Sequence, residues 1–456
     1  MHSRRRPRSA MMASSVVLIV LSCLCNASNL AKSSEGRAVI SGKKQTPQLQ
    51  IPVMFEKDFT RPMSIPEEGI EAAIEVLRSG RLFRYSAISA EQSQVALVEK
   101  EFAEATGSTY ALGVNSCSSA IMIALMSVGV QPGDEVLSNA FTFGAVTSAI
   151  LRLGAQAVLV ECCNSWTMDL DDLEVKARDG RAKVLLLSHM RGKVCDMDRV
   201  VEICDRYGLT LVEDCAHACG VKWRGQQLGN YGKAAAFSTQ ADKMINSGEG
   251  GFLTTSDDNI AARAIFLAGG YERRYDKHLV RPSDALCEAA MLSAPNLSVR
   301  MSEMTGAVLR PLVKNLPERI VQFNLRYRMV VDTMEAEAPG LFDVPKHDER
   351  VSPVGDHLNF RLVKATAKEN LAFQAKCREL GVPANWLRSP INARWHVNWR
   401  GFGGPVQDLP QTDRALAAAY DLKLPPHFED DDFVHLGKNI AYAARVTVGL
   451  EHAEED

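Results

Sequence analysis

The sequence lacks the two glycine-rich signatures, G-x-G-x-x-G and G-x-x-x-x-G-K-[ST], with which many enzymes cradle nucleotide phosphates. It also lacks blocks of like charge, because the 456 residues carry a formal net charge of −3 and mix acidic and basic side chains along the chain. Proteins that bind nucleic acid usually present a basic stripe or patch. These absences disfavour the common nucleotide-binding folds and a nucleic-acid partner.

The eleven cysteines show no C-x-x-C pair and no other metal-ligand spacing. Cys23 and Cys25 fall in the N-terminal segment, so an odd number of nine remains in the rest of the chain. An odd number without regular spacing disfavours a disulfide framework. We predict no metal site, and we interpret Cys215 and Cys219 as small buried apolar residues beside a strand end.

No apolar run is long enough for a comfortable membrane span. A basic cluster at Arg4–Arg8 precedes the short apolar run 16–21, and small residues follow at 25–27. This is the pattern of a secretory signal segment, which we predict over residues 1–27. An uncleaved anchor, a plastid or other organellar address, and a cytoplasmic location stay open. Residues 28–60 read as a linker or a transit-like segment.

From residue 61 onward, short apolar runs alternate with helical patterns, as expected for an α/β fold with a mostly parallel sheet covered on both faces. We predict a large domain over 61–310 and a smaller C-terminal α+β domain over 311–456. A long helical stretch at 302–336 connects the two. The predicted strands of the large domain are 110–114, 135–137, 157–160, 183–187, 210–212, 234–237 and 251–254.

Ligands in open α/β sheets bind at the carboxyl ends of strands, so polar residues directly after apolar runs are candidates for function. Glu213 and Asp214 follow one such strand, and a buried carboxylate there requires a cationic partner. A protonated pyridine nitrogen would satisfy Asp214, whereas helix capping by Asp214 is the ordinary alternative.

Lys243 follows another strand and precedes the glycine-rich Gly248-Glu249-Gly250-Gly251. Burial lowers the pKa of a lysine and frees its lone pair, so such a lysine suits Schiff-base chemistry. A solvated surface lysine is the alternative for this motif taken alone.

Ser116-Cys117-Ser118-Ser119 closes the first strand of the sheet and opens a helix. Hydroxyls and backbone N–H groups at the positive end of a helix favour phosphate binding. Ordinary N-capping by serine is the alternative here.

Taken in order, these segments resemble the DegT/StrS-type sugar aminotransferases, which have the fold type I of pyridoxal 5′-phosphate (PLP) enzymes. The resemblance covers about residues 65–447. It is carried by the following motifs: Gly133-Asp134-Glu135-Val136, Phe141-Thr142-Phe143, Glu213-Asp214-Cys215-Ala216-His217-Ala218, Ser238 to Lys243, Gly248-Glu249-Gly250-Gly251 and Arg300-Met301-Ser302-Glu303.

The resemblance implies that Lys243 forms the internal aldimine with PLP, that Asp214 pairs with the pyridinium and that His217 contacts the 3-oxygen of the ring. It also implies a homodimer with shared active sites, in which residues 296–300 reach the neighbouring site. Ser298 stands where the family commonly has Asn, so we assign that contact to Asn296. The other implied cofactor contacts are Phe143, stacked on the ring, and Ser118, Ser119 and Ser238 at the phosphate.

Within the family, the closest resemblance is to the branch that makes 8-amino-3,8-dideoxy-manno-octulosonate. The most telling stretch is Trp395-His396-Val397-Asn398-Trp399, for which a tryptophan cluster that packs the small domain is the alternative interpretation. An acidic donor or sugar requires cations in the pocket. The candidate substrate-binding residues are Arg84, His189, Arg300, Arg394 and His396.

The function expected from these residues is transfer of an amino group from an amino acid to a keto or aldehyde sugar. Glutamate is the expected donor, and an octulosonate-type acid is one candidate acceptor. Lys243 and Asp214 are the predicted catalytic residues. Two alternatives stay open: another PLP reaction, such as carbon–sulfur lysis or racemisation, and a PLP-binding regulatory protein without catalysis.

Overall fold

The computed structural model describes residues 51–449, which belong to one compact unit. The predicted signal segment 1–27 and residues 28–50 of the predicted linker lie outside the described residues. Within residues 51–449, no helix combines the length and the apolar character that a membrane crossing requires.

The alternating apolar runs of the sequence form a seven-stranded sheet in the order β1-β9-β8-β5-β4-β2-β3. Every predicted strand of the large domain is present, with ends shifted by at most two residues. The strands of the described residues are β1 Tyr110–Val114, β2 Glu135–Asn139, β3 Gln156–Val160, β4 Val184–Ser188, β5 Thr210–Asp214, β6 Lys222–Trp223, β7 Gln226–Gln227, β8 Ala234–Ser238, β9 Gly251–Thr255, β10 Phe342–Asp343, β11 Val351–Ser352, β12 His357–Leu362, β13 Asn385–Trp386 and β14 Ala419–Lys423.

Helices cover the sheet and bury its apolar faces, as the continuous apolar strands require. The α-helices of the described residues are α1 Glu67–Ser79, α2 Gln94–Thr106, α3 Cys117–Ser127, α4 Ala145–Arg152, α5 Leu170–Asp179, α6 Met197–Tyr207, α7 Asp258–Ala268, α8 Asp284–Met291, α9 Glu303–Lys314, α10 Leu316–Glu337, α11 Ala367–Glu379, α12 Pro410–Leu416 and α13 Asp430–Thr447.

The helical stretch predicted as continuous over 302–336 is two helices, α9 and α10, separated at Asn315. The break follows from Pro317, which lies in the first turn of α10. Proline has no N–H to donate and is therefore favoured at a helix start.

Strand direction brings the predicted site motifs to one edge of the sheet. Strands β2, β3, β4, β5 and β8 are parallel, so Asp214 and Ser238 lie at the same edge. Strand β9 runs antiparallel to both β8 and β1, and its first residue, Gly251, pairs with Val114, the last residue of β1. The start of α3 and the loop that carries Lys243 therefore meet at this edge too.

A second sheet of four antiparallel strands, in the order β10-β12-β14-β13, lies in the C-terminal part of the chain and packs on α10, α11 and α13 around its own apolar core. The short strands β11, β6 and β7 form a third sheet. These features are those of a fold type I PLP enzyme, as predicted. The proposed domain boundary at residue 310 stays a prediction.

Residues 51–60, the end of the predicted linker, are docked on the C-terminal core. The ring of Phe55 is 3% exposed and lies 5.3 Å from the ring of Phe428, centroid to centroid. The N–H of Phe55 donates to the carbonyl of Leu380, and the carbonyl of Val53 accepts from His435.

Candidate active site

A cavity of about 640 Å³ opens at the edge of the seven-stranded sheet where the predicted motifs meet, and strands β12 and β14 contribute to its other wall. A second cavity of about 770 Å³ shares Ser118 and Phe143 with it, and Ser119 lines this second cavity. The predicted site residues on the wall of the first cavity are Ser118, Phe143, Asp214, His217, Ser238, Lys243 and Arg394.

Asp214 ends β5 and is 4% exposed. One of its oxygens accepts the hydroxyl of Ser188 at 2.7 Å, and the other accepts the N–H of Ala216 at 3.1 Å. The Ser188 hydroxyl in turn accepts from Thr142 at 2.8 Å, so two hydroxyls in series donate toward the carboxylate. Among the described residues, no cationic side chain forms an ion pair with Asp214, which leaves this buried carboxylate able to hold a positive group.

Lys243 reaches the same cavity from the loop after β8. Its Nζ lies 2.9 Å from Nε2 of His217. Burial, together with the positive charge of Arg191, lowers the pKa of Lys243 to about 8. Burial also holds the pKa of His217 well below 6.5, and the charges of Lys243 and Arg191 add to this effect, so the imidazole is neutral at pH 7.

The helix α3 begins at Cys117, and its N-cap Ser116 accepts the N–H of Ser119 at 3.1 Å. Ser118 is exposed and lines both cavities. A Cβ on Gly251 would lie 2.7 Å from the backbone nitrogen of Cys117, so only glycine allows the lysine-bearing loop to approach the start of α3 this closely.

These residues fit PLP. The carboxylate of Asp214 suits the pyridine nitrogen, the amine of Lys243 suits the aldehyde, and the positive start of α3 suits the phosphate. The ring of Phe143 is 49% exposed and lines both cavities, so an apolar face is available to an aromatic ring.

Two predicted substrate-binding residues, Arg84 and His189, do not line either cavity. The guanidinium of Arg84 is buried and ion-paired with Glu99 at 2.7 Å, and it also lies 2.9 Å from Nδ1 of His278. Arg84 therefore does not reach the cavity of its own chain, and its contact with substrate stays a prediction.

His189 is 1% exposed and ion-paired with Glu213 at 2.9 Å, and its contact with substrate stays a prediction. Glu213 also accepts the N–H groups of Gly229, Tyr231 and Gly232. His189, Glu213 and Cys215 offer ligand atoms that lie close enough together to hold a metal ion. However, four donors already occupy the two carboxylate oxygens of Glu213, and burial raises the pKa of the Cys215 thiol well above 9, which disfavours a thiolate ligand.

Three further predicted residues lie outside both cavities of this chain. Arg300 donates to the carbonyl of Gly269 at 2.8 Å and stacks on Phe83. Asn296 accepts the hydroxyl and N–H of Ser298, and its predicted contact across a dimer stays a prediction. His396 is 1% exposed, and its contact with substrate stays a prediction.

The structure adds Arg191, His357 and Asp421 to the cavity wall. Arg191 follows β4, whereas His357 and Asp421 lie on strands β12 and β14 of the other sheet. Their separation in the sequence hid this cluster, because only the packing of the two sheets brings them together. The one local signal was the position of Arg191 directly after a strand.

Comparison with known proteins identifies the family of this chain. A model of the DegT/DnrJ/EryC1/StrS aminotransferase family matches residues 64–441. The chain is 27% identical over 388 residues to a spore coat polysaccharide biosynthesis protein of Bacillus subtilis, across 81% of this chain and 94% of that protein. It is 32% identical over 292 residues to the 3-amino-5-hydroxybenzoate synthase of Amycolatopsis mediterranei, across 63% and 71% of the two chains.

A solved structure of a putative sugar aminotransferase from Streptococcus pneumoniae, in its PMP form, superposes with a TM-score of 0.72 at 20% identity, across 86% of this chain and 98% of that chain. This likeness concerns the fold, while the family match spans most of the sequence. The chain therefore belongs to the DegT/DnrJ/EryC1/StrS aminotransferase family, and it is a PLP-dependent aminotransferase.

Proposed function

We propose that the chain moves an amino group from an amino acid, with glutamate as the expected donor, to a keto or aldehyde sugar that carries an acidic group, such as an octulosonate. The observation that carries the amino-transfer part is the Lys243 amine, 2.9 Å from the neutral His217 in a cavity that also holds the unpaired carboxylate of Asp214. The relatives support a sugar acceptor, since one is named a spore coat polysaccharide biosynthesis protein.

PLP supplies an electron sink that stabilises negative charge on the carbon from which a proton is removed. The chain supplies the rest. Lys243, whose pKa is lowered to about 8, can take a proton from substrate carbon and return it at nearly neutral pH. Asp214 provides the fixed negative charge that keeps the ring nitrogen protonated, and Ser188 holds this carboxylate in place.

The acidic acceptor is inferred from Arg394. Its side chain lines the cavity, and in the described residues it forms no ion pair, while its Nε has no hydrogen-bond partner. Burial and the charge of Arg191 lower the pKa of Arg394 to about 10, so the guanidinium is charged at pH 7. A partly buried guanidinium without an ion pair is costly, and a substrate carboxylate would satisfy it.

The test separates the two half-reactions. PLP-loaded protein is mixed with single amino acids, and the loss of the cofactor's aldehyde-form absorbance is followed; the aminated protein is then mixed with keto sugars in pairs that differ only in a carboxylate. We expect conversion by glutamate and a preference for the carboxylate-bearing sugar. No conversion by any amino donor would refute amino transfer, and equal rates for both sugars of each pair would refute the acidic acceptor.

Two further predictions accompany this function. We propose a homodimer, which sedimentation of the cofactor-loaded protein tests directly. We also propose entry into the secretory route, supported by the basic cluster and apolar run before residue 27. Fusion of residues 1–50 to a fluorescent protein would show the destination, and a uniformly cytoplasmic signal would refute this proposal.

A further inference from the structure

Arg191 has a backbone conformation that is unusual for its residue type. Its φ is 56°, in the left-handed region that side chains with a Cβ rarely adopt. Such a conformation is strained and persists where surrounding contacts determine it. Arg191 is also 8% exposed, so its charge is held close to the cavity and away from bulk water.

The guanidinium of Arg191 connects the two sheets. One terminal nitrogen lies 2.7 Å from an oxygen of Asp421, on β14. The other lies 2.7 Å from Nε2 of His357, on β12, and 3.2 Å from Nδ1 of His217, beside the end of β5. This second nitrogen carries two hydrogens and can donate one to each histidine. Arg191 therefore contacts three side chains that lie on or beside three different strands.

Arginine is always a donor, which determines where the hydrogen of His217 lies. Nδ1 of His217 must accept from Arg191, so the single hydrogen of the neutral imidazole is on Nε2. Nε2 faces Nζ of Lys243 at 2.9 Å. A donating Nε2–H requires an acceptor, and Lys243 can accept only through the lone pair of its neutral amine.

We propose that Arg191 is a positioning residue that selects the tautomer of His217 and thereby aims the Nε2–H of this imidazole at the amine of Lys243. The lowered pKa values of Lys243 and His217 agree with this arrangement. The inference rests on the proposed role of Lys243 and adds a residue that need not touch substrate.

Other charges also face this pair, and the test must allow for them. Lys243 faces Cys117, Asp214 and Asp356, while His217 faces His357 and Arg394. The remaining charged side chains of the cavity wall are Asp242, Glu249, Asp421 and Lys423. Substitution of Arg191 leaves all of these in place.

The first experiment needs no variant. Nitrogen NMR of ¹⁵N-histidine-labelled, cofactor-free protein above pH 8, where most of the Lys243 amine is neutral, reports which nitrogen of His217 carries hydrogen, with His217→Gln used to assign the signal. We expect hydrogen on Nε2 and a bare Nδ1. Hydrogen on Nδ1 would overturn the inference, whatever the activity of the enzyme.

The second experiment measures Lys243 itself. Cofactor-free protein is treated with trinitrobenzenesulfonate, which reacts with neutral amines, across a pH series, and the labelling of Lys243 is quantified by mass spectrometry. We expect a midpoint near pH 8 in the natural protein. In Arg191→Met the midpoint should rise by about one pH unit, because a positive charge and the tautomer constraint are both lost. Arg191→Lys, which keeps a charge and a donor, should restore most of the original value.

Arg84→Lys is the matched control. Like Arg191, Arg84 is buried and contacts one acid and one histidine, but it lies far from Lys243 along the chain. It should lower stability without moving the Lys243 midpoint. A midpoint near 8 in the natural protein that does not move in Arg191→Met would overturn the inference alone. A midpoint near 10.5 in the natural protein would overturn the proposed role of Lys243 as well. If Arg191→Met does not fold, Arg191→Lys and the NMR measurement still decide.

Discussion

Arg394 allows a quantitative test of the acidic acceptor. The change is Arg394→Gln, which keeps polar atoms at the cavity wall and removes the charge. In the described part of the chain the Arg394 guanidinium has no ion pair, so its loss strands no buried acid of the protein. The change should therefore affect binding of an anionic substrate far more than folding.

The expected magnitude follows from the burial of this side chain. A hydrogen bond to a charged group contributes about 1.5–3 kcal/mol, and each 1.4 kcal/mol is about tenfold, so kcat/KM for the carboxylate-bearing substrate should fall by about 10- to 150-fold. Arg394 also lies near Arg191, whose charge lowers the pKa of Arg394. Arg191 is itself ion-paired with Asp421, so it adds little to the attraction of an anion, and the range as given is expected.

The assay is single turnover, with the donor and acceptor half-reactions measured separately on substrates with and without the carboxylate. Arg388→Gln is the matched control, since Arg388 is exposed, lies on the same segment and does not line the cavity. Equal losses on charged and uncharged substrates, or an equal effect of Arg388→Gln, would refute the assignment of Arg394 to a substrate carboxylate.

Three further predictions concern the cofactor and the N-terminal segment. Lys243→Ala should keep its thermal unfolding temperature within a few degrees but lose borohydride-sensitive cofactor absorbance and all turnover; retention of full turnover would contradict its role. Cofactor-free protein should capture PLP at a rate that rises about tenfold per pH unit below pH 8 and levels off above it. Burial lowers the pKa of Lys243 to about 8, and only the neutral amine reacts. A rate that still rises at pH 10 would contradict this. Phe55→Ala should lower the free energy of unfolding by about 3 kcal/mol in urea titrations, because the Phe55 ring is 3% exposed in an aromatic cluster. An unchanged urea midpoint would show that residues 51–60 do not dock on the C-terminal core.

The sequence by itself determined the sheet and the two residues at its functional edge. Apolar runs of five residues separated by helical spacing leave few options other than a covered parallel sheet, and the ends of parallel strands necessarily share an edge. Asp214, at the end of β5, and Lys243, in the loop after β8, lie where such an edge places ligand contacts, and the family resemblance assigned their roles. Gly80, Gly107 and Gly208 are local signals of the same kind, because each ends a helix in the left-handed backbone conformation that glycine adopts readily.

Only the tertiary structure decided which cations face the cavity. Arg84, His189 and His396 carry suitable chemistry, but they are buried outside the cavity wall. The first two are paired with acids, and residue type does not reveal such pairing. Arg394 faces the cavity because the segment after β13 packs against the loop after β2, where Phe141 and Trp395 form a β-bridge. The cluster of Arg191 with His357 and Asp421 joins side chains 166 and 230 residues apart, and such long-range pairs form only when the two sheets pack together.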